Sequence, residues 1–422
     1  MRHRSVLIAL ALCVLLATGV PFAAPAPAAT MGPVSDPIGV VKIDAGAPIV
    51  IASWLVTSGP NGALGTDSQR GIEIAIDDVG GKVLGHAIKL ISEDSGCSAE
   101  GGQTAATKIA ANADVVAAIG SSCSSEAVPG APILWKAGIV TVSPSNTAPK
   151  LTDPMRGPDY DGYLRTAHND KIQGAVAATF ARNVLRKSRA ATIHDGSPYA
   201  QGLANAFAEN FQKMGGTITS QEAISVGDTD MHPVLTRIAT GKPDMIFYPI
   251  FVAEGGFITR QAKDVSGLAG VTLFGADGLF TPDFLKAAGD SAQGMYWSSP
   301  DLTPEALGPR YAQDFLVKYK KKYGETPTAA FHPHAYDAAM IVFAAIRKVA
   351  RAQGGALYIG RKALRDALFA TRNFKGLTGT ITCNQYGDCA DPHIAVYQSV
   401  SADPAKWNPG VDPKKVYPMG KP

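Results

Sequence analysis

Two hydroxyl-rich segments offer the groups in this sequence that are best suited to bind a carboxylate. Residues 120–125 read Gly-Ser-Ser-Cys-Ser-Ser, and residues 143–147 read Ser-Pro-Ser-Asn-Thr. Each segment follows an apolar run typical of a buried strand, and ligands of open α/β sheets bind beyond the carboxyl ends of the strands. Hydroxyl groups and free backbone N–H groups at a helix start attract an anion, because the helix dipole and the unsatisfied donors favour negative charge. These segments therefore predict a carboxylate site.

Residues that follow other predicted strands would complete a site for a zwitterion. Asp277, in a Gly-Ala-Asp-Gly turn after the apolar run 271–274, suits an ammonium group. Tyr199 and Phe251 also follow predicted strands and would supply apolar walls. Each residue alone has a plainer interpretation, as a turn carboxylate or as interior packing. Together they fit a small zwitterion that carries an apolar side chain.

Three other chemistries find no support in the spacing of the residues. Gly59, Gly62 and Gly65 do not form the dinucleotide-binding fingerprint, and no phosphate-binding lysine follows them. The pair His332 and His334 resembles a metal site but has no third ligand in view. No serine lies in a G-x-S-x-G or S-x-x-K motif. We therefore expect no cofactor, no metal and no enzymatic activity.

The elements that must position these residues alternate strands with helices, which predicts parallel sheets built from βαβ units. A first series is followed by a second, similar one that begins near residue 170. The first has predicted strands at 48–52, 87–92, 114–119 and 139–142, with helices at 67–79, 99–112 and 127–136. The second has predicted strands at 190–194, 223–226, 244–249 and 271–274, with helices at 171–185 and from Ser197 onward.

Late elements remain after the two series: helices at 309–323 and 334–352, and a predicted terminal hairpin of 380–382 with 394–398. About 390 residues after the leader also exceed what one core usually serves. We therefore expect two lobes joined by more than one crossing of the chain. The predicted division places residues 31–168 and 299–378 in one lobe and residues 169–298 and 379–422 in the other.

The first thirty residues have the pattern of a secretory signal peptide. Arg2, His3 and Arg4 precede an apolar run over 6–20, and small residues at 26–29 offer a cleavage site. Cys13 lies inside the apolar run behind a leucine, so we do not expect it to be lipidated. No later segment is apolar enough to cross a bilayer. These features predict an exported, soluble protein in the periplasm.

The charge of the chain excludes a partner recognised through bulk electrostatics. The full sequence has 39 basic and 36 acidic residues, and loss of the leader removes two arginines. The basic residues form no stripe of the kind that binds nucleic acid or anionic lipid. We therefore expect no nucleic-acid partner.

Four cysteines remain after the leader, an even number that suggests two disulfides in an exported protein. Three connectivities are possible, and we favour Cys97–Cys123 with Cys383–Cys389. Cys97 and Cys123 each follow a predicted strand of the first series, so they should lie at the same edge of one sheet.

An ordered series of motifs resembles the branched-chain amino-acid binding proteins of bacterial ABC importers, which have the type I periplasmic binding protein fold. The resemblance covers essentially the whole chain after the leader. It rests on residues 120–125, 143–152, 164–170 with Gln173 and Gly174, 194–202 and 333–338.

This resemblance implies an α/β fold with two Rossmann-like lobes, a hinge of three crossovers and a ligand held between the lobes. By position, Ser124, Ser145 and Thr147 would hold the ligand's carboxylate and part of its ammonium group. Asp277 would hold the ammonium group where better-known members carry Glu. The side-chain pocket would be lined by Tyr199, Phe251 and Phe331, and Asp170 would lie at the cleft edge. As alternatives, Asp170 could simply cap a helix and Phe331 could belong to the core.

The sequence departs from the family pattern at three positions of the site. Leu64 stands where a pocket tyrosine is often found, Phe251 replaces another tyrosine, and Ser122 replaces an apolar residue. Taken over the whole chain, the resemblance still implies a monomeric binding protein that delivers a branched-chain or other aliphatic amino acid to the membrane permease of an ABC importer. Two alternatives stay open: a ligand-sensing module, and a protein that binds an aromatic or other small carboxylate.

Overall fold

The computed structural model describes residues 28–418, which form two lobes with separate central sheets. The strands are β1 (Ala29–Met31), β2 (Val34–Asp36), β3 (Val40–Ile43), β4 (Ile49–Leu55), β5 (Lys82–Val83), β6 (His86–Asp94), β7 (Val115–Gly120), β8 (Val140–Ser143), β9 (Tyr163–Arg165), β10 (Arg189–His194), β11 (Thr217–Ala223), β12 (Met245–Phe247), β13 (Thr272–Gly275), β14 (Tyr296–Pro300), β15 (Arg351–Gln353), β16 (Ala356–Gly360), β17 (Phe374–Lys375), β18 (Thr380–Ile381), β19 (Ile394–Gln398) and β20 (Lys414–Tyr417).

Helices follow most of the parallel strands and cover both sheets. They are α1 (Gly62–Asp78), α2 (Ala99–Ala110), α3 (Ser124–Lys136), α4 (Asp170–Thr179), α5 (Pro198–Lys213), α6 (His232–Thr240), α7 (Val252–Gln261), α8 (Pro282–Ala288), α9 (Pro304–Pro309), α10 (Leu316–Tyr323), α11 (His332–Val349) and α12 (Arg361–Phe369).

The first sheet has the order β5-β6-β4-β7-β8-β9, and its strands from β6 to β9 are parallel. The second has the order β11-β10-β12-β13-β14-β19-β20, and it is parallel from β11 to β14. Every residue of β4 is buried, which explains why its sequence is apolar at every position but Ser53, since a central parallel strand is covered on both faces. The predicted class, an α/β protein with parallel-dominated sheets in two lobes, is confirmed.

The chain passes between the two lobes three times. It leaves the first lobe after β9, returns to it after β14 with the helices that precede β15, and joins the second lobe's sheet again at β19. Helix α11 belongs to the first lobe, because Ile341, Val342 and Ile346 share one core with β4, β7 and β8. The precise lobe boundaries stay a prediction, and the one between residues 298 and 299 falls inside β14.

His332, considered above as half of a metal pair, instead joins helices α1 and α11. Its Nδ1 lies 2.7 Å from Asp67 Oδ2, and its Nε2 lies 2.8 Å from the Tyr311 hydroxyl. All three side chains are buried. Both ring nitrogens are therefore occupied within the protein.

Two predicted strand assignments are wrong. The strand expected at 223–226 is β11 at Thr217–Ala223, an edge strand whose polar residues concealed it. The expected terminal hairpin does not form, because β18 pairs with β17 while β19 pairs with β14 and β20. The helix predicted over 309–323 is present. Gly308, with φ 79° and ψ −177°, separates it from the preceding turn of α9, and from Pro309 it continues through a wider helical turn over Arg310–Phe315 into α10.

The predicted signal peptide lies outside the described residues, apart from its last three. Within residues 28–418, no helix combines the length and the apolar character that crossing a membrane requires.

Both predicted disulfides are confirmed, with Cα–Cα distances of 5.2 Å for Cys97–Cys123 and 3.7 Å for Cys383–Cys389. The buried carboxylate of Glu126 lies beside the first bridge. It accepts backbone hydrogen bonds from Cys97 at 2.7 Å, Cys123 at 2.8 Å and Ser122 at 3.0 Å. Glu126 therefore holds together the two loops that the disulfide joins.

Replacing Glu126 by glutamine should destabilise this corner of the first lobe. The side-chain amide would turn N–H donors toward backbone N–H groups, and a buried donor without a partner costs roughly 1–3 kcal/mol. We expect Glu126→Gln to lower the free energy of unfolding by about 3 kcal/mol in urea titrations. Glu100→Gln, at an exposed position in the first turn of α2, is the matched control. Equal stability of the two variants would contradict this role.

Candidate functional site

Loops from the carboxyl ends of both sheets meet in a closed cleft between the lobes. The first sheet contributes the segment after β7 and the segment after β8. The second contributes the start of α5, the start of α7 and the turn after β13. They enclose one small cavity lined by Leu64, Ser122, Cys123, Ser124, Ser145, Thr147, Tyr199, Phe251, Asp277 and Gly278. Seven of the nine predicted site residues therefore border the same space.

The hydroxyl groups on the first-lobe side differ in how they are already bonded. Ser122 Oγ accepts from the Val56 amide at 3.1 Å, and Ser124 Oγ accepts from the Ala148 amide at 3.2 Å. The buried Ser145 Oγ has no hydrogen-bond partner among residues 28–418. Ser122 and Ser124 accept these bonds and so keep an O–H donor for a ligand, while Ser145 has its donor and both acceptor positions unused among the described residues.

The loop that carries Ser145 is held in shape by Ser143. Ser143 Oγ accepts from the amides of Ser145 at 3.1 Å and Asn146 at 2.9 Å, and donates to the Ser121 carbonyl at 2.9 Å. The side chain of Ser143 is thus committed to the loop itself, while that of Ser145 faces the cavity.

Asp277 supplies the negative charge on the second-lobe side. It is 6% exposed, and its Oδ1 accepts from Gln173 Nε2 at 2.6 Å and from the Tyr199 hydroxyl at 3.1 Å. Burial raises the pKa of Asp277 to about 6, and the two hydrogen bonds oppose that rise. At neutral pH the cavity therefore contains an ionised carboxylate that is bonded only by neutral donors.

Asp170 lies close behind this site and does not border the cavity. It is the first residue of α4, whose N-cap is Asn169, and it is fully buried. Neither carboxylate oxygen has a hydrogen-bond partner in the described part of the chain. Burial, and then the nearby Asp277 carboxylate, hold the pKa of Asp170 well above its usual range. This environment favours the neutral, protonated form of Asp170, so Asp277 is the carboxylate that faces the cavity as a charge.

A second small cavity adjoins the first and is mostly apolar. The two cavities share Leu64, Phe251, Asp277 and Gly278. Tyr199 and Phe251 stand together at the boundary, with ring centroids 5.3 Å apart. A ligand with its charged groups in the first cavity would extend an apolar side chain into the second. The other residues of its wall are Pro60, Asn61, Ala63, Val252, Phe280, Thr281 and Ala329.

Phe331 borders neither cavity, unlike its predicted place in the pocket. It is 1% exposed and stacks on His168 with a centroid distance of 6.1 Å. His334 meets the ring edge-on at 5.5 Å. Phe331 is therefore part of the core, which is the alternative that the sequence had left open.

Gln173 is a site residue that the sequence does not identify. It lay within the matched motif, but a glutamine inside a helix shows no sign in sequence that it will meet a carboxylate 104 residues away. Gly278 was missed for a similar reason. Its backbone approaches Ile250, Tyr199 and Phe251 too closely for a side chain.

Comparisons with known proteins agree with this geometry. A sequence model of the periplasmic binding proteins matches residues 48–401. The Leu/Ile/Val-binding protein BraC3 of Rhizobium johnstonii is 28% identical over 366 residues, covering 86% of this chain and 93% of that protein.

Two solved structures extend the likeness to the fold. The leucine-binding protein LivK of Thermotoga maritima has a TM-score of 0.74 and 27% identity, covering 84% of this chain and 96% of that one. The LivJ protein of Streptococcus pneumoniae, solved in complex with isoleucine, has a TM-score of 0.72 and 25% identity, covering 83% and 96%. Since the family match spans most of the sequence and both lobes, the chain belongs to the periplasmic binding proteins, in the branched-chain amino-acid binding group of type I.

Proposed function

We propose that this protein captures an aliphatic amino acid outside the cytoplasm by closing its lobes and delivers it to the membrane permease of an ABC importer. The observation that carries the proposal is a cavity with a free hydroxyl group at one side and an uncompensated carboxylate at the other. Ser145 and Asp277 are these two groups. The relatives that bind Leu, Ile or Val support the same ligand class.

The ligand's ammonium group is assigned to Asp277. An ionised carboxylate enclosed without a cation is costly, whereas a paired and hydrogen-bonded one is tolerated. Among residues 28–418, no Lys, Arg or His borders either cavity. The positive charge must therefore come from the ligand. Aspartate is one methylene shorter than the glutamate of better-known members, so the ammonium group would lie deeper or bond through water.

The ligand's carboxylate is assigned to the serine-rich segments of the first lobe. Ser145 and Thr147 would donate from one loop and Ser124 from the start of α3, together with backbone N–H groups at that helix start. A carboxylate without an ammonium group would add a second negative charge beside Asp277. This arrangement disfavours benzoate-like ligands and favours an amino acid.

The proposed protein acts in the periplasm and binds its ligand without changing it chemically. The leader sequence supports export to the periplasm, where such a protein would act as a monomer. The cavity groups serve binding without catalysis. The serine hydroxyls accept hydrogen bonds from backbone amides, and the carboxylate stands alone, so no nucleophile is paired with a base. A thermal-shift screen over amino acids and small carboxylates tests the ligand class. Stabilisation by benzoate and none by leucine would overturn the proposal.

Removing the carboxylate of Asp277 should nearly abolish amino-acid binding. Breaking a buried charge pair from one side typically costs about 3–5 kcal/mol, roughly a 150- to several-thousand-fold loss of affinity. Calorimetry with leucine on Asp277→Ala measures this loss, and Asp264→Ala, at an exposed position in the same lobe, is the control. If Asp277→Ala binds leucine like the parent, the ligand has no ammonium group buried here.

Two serines in one loop should behave oppositely when changed to alanine. Ser145→Ala removes a hydroxyl that has no partner among residues 28–418, so leucine affinity should fall about tenfold with little change in stability. Ser143→Ala removes an acceptor for two amides, so stability should fall by about 2 kcal/mol. Calorimetry and urea unfolding on both variants separate the effects. A stability loss in Ser145→Ala would contradict the assignment.

Leucine affinity should weaken in acid. The pKa of Asp277 is about 6 without ligand, so below that pH the carboxylate must release a proton before it pairs with an ammonium group. Affinity should be constant above about pH 7 and fall by up to tenfold per pH unit below about 6. Titrations between pH 5 and 8, in buffers of different ionisation enthalpy, measure both affinity and proton release. A flat profile in the parent protein would contradict the role of Asp277.

A further inference from the structure

A hydrogen-bonded chain of buried side chains connects Asp277 to the hinge. Gln173 is fully buried in α4, and its Nε2 donates to Asp277 Oδ1 at 2.6 Å and to the Ser298 carbonyl at 3.0 Å. Its Oε1 lies 2.5 Å from Nε2 of His168. His168 lies in the connection from β9 to α4, and Ser298 lies in β14 just before the chain returns to the first lobe. One glutamine thus contacts the ligand site and two of the three crossings.

The orientation of the Gln173 amide follows from its partners. An amide oxygen only accepts, so the His168 ring must present Nε2 with its proton to Oε1. Burial lowers the pKa of His168 to about 4, so the ring is neutral at physiological pH and its Nδ1 carries no proton. Nδ1 has no partner among the described residues, in keeping with this tautomer. The opposite orientation of the amide would turn its oxygen toward the carboxylate of Asp277.

The two donors to Asp277 bond the same oxygen. Gln173 and Tyr199 both reach Oδ1, and no residue in the described range donates to Oδ2. Oδ2 is therefore the oxygen left for an ammonium group. The other titratable groups near Asp277 are Tyr199 from α5, Asp170 from the start of α4 and, through Gln173, His168.

We propose that Gln173, oriented by His168, is a positioning residue that aims Asp277 at the ligand's ammonium group and couples this contact to the hinge. The inference rests on the proposed function for the identity of the ligand. It adds that the selectivity for an ammonium group depends on a residue outside the cavity wall. The hydrogen bonds from His168 through Gln173 to Asp277 would connect the residue that recognises the ammonium group with the segments that move when the lobes open.

The direct test measures the ionisation of Asp277 without ligand. In carbon-13 NMR titrations of the carboxyl group, assigned by its loss in Asp277→Asn, Gln173→Leu should move the midpoint up by about one pH unit. The reason is that the lost amide donor favours the ionised form. Gln201→Leu, the same change at an exposed position of α5, should leave the midpoint unchanged. An unchanged midpoint in Gln173→Leu would overturn the proposal, whatever happens to thermal stability.

A second variant and a ligand titration keep the test decisive. His168→Leu retains Gln173 but removes its orienting donor, and should shift the midpoint in the same direction by a smaller amount. If Gln173→Leu does not fold, this variant decides the matter, and an unchanged midpoint overturns the proposal. Between pH 8 and 6, leucine affinity should fall roughly fivefold more in Gln173→Leu than in the parent. Failure of the parent to bind leucine would overturn the proposed function alone, because the NMR midpoint needs no ligand.

Discussion

One negative charge enclosed between two lobes constrains the rest of the cleft. Asp277 is almost fully buried, and its side-chain donors in the described part of the chain, Gln173 and Tyr199, are both neutral. A lone buried charge costs several kcal/mol, so the closed arrangement is favourable with a ligand that brings one positive charge. A ligand can shift an opening equilibrium only by its differential affinity for the two states. The proposed contact between a ligand's ammonium group and Asp277 would provide such a difference.

The groups that face the ligand are held still by residues that do not touch it. Glu126 bonds three amides beside the Cys97–Cys123 bridge, and Ser143 bonds two amides in the neighbouring loop. On the other lobe, Gln173 donates a hydrogen bond to Asp277 and so fixes the position of its carboxylate. Binding to such a site loses little entropy, because its donors are ordered before the ligand arrives.

Sequence patterns predicted strands best where the strand is buried on both faces and every residue obeys the same requirement to be apolar. Apolar runs predicted the central strands, because parallel strands are covered on both faces and read as continuous hydrophobic segments. They failed at β11, where an edge position tolerates polar residues, and at β18 and β19, which lie in different sheets. Strand pairing depends on the path of the chain through space, and two short strands look alike in sequence whichever partner they take.

The sequence by itself determined the class of fold and seven residues that border the cavity, and it favoured the observed pairing of the cysteines among three possible ones. These depend on local patterns, on strand ends that parallel sheets bring to one edge, and on motifs shared with a family. Only the tertiary structure decided that Ser145 has no partner among the described residues while Ser122 and Ser124 accept backbone hydrogen bonds, and that Phe331 belongs to the core. It also revealed the contact of Gln173 with Asp277. Hydrogen bonds between residues far apart in the chain form only when packing sets both positions, so no local pattern encodes them.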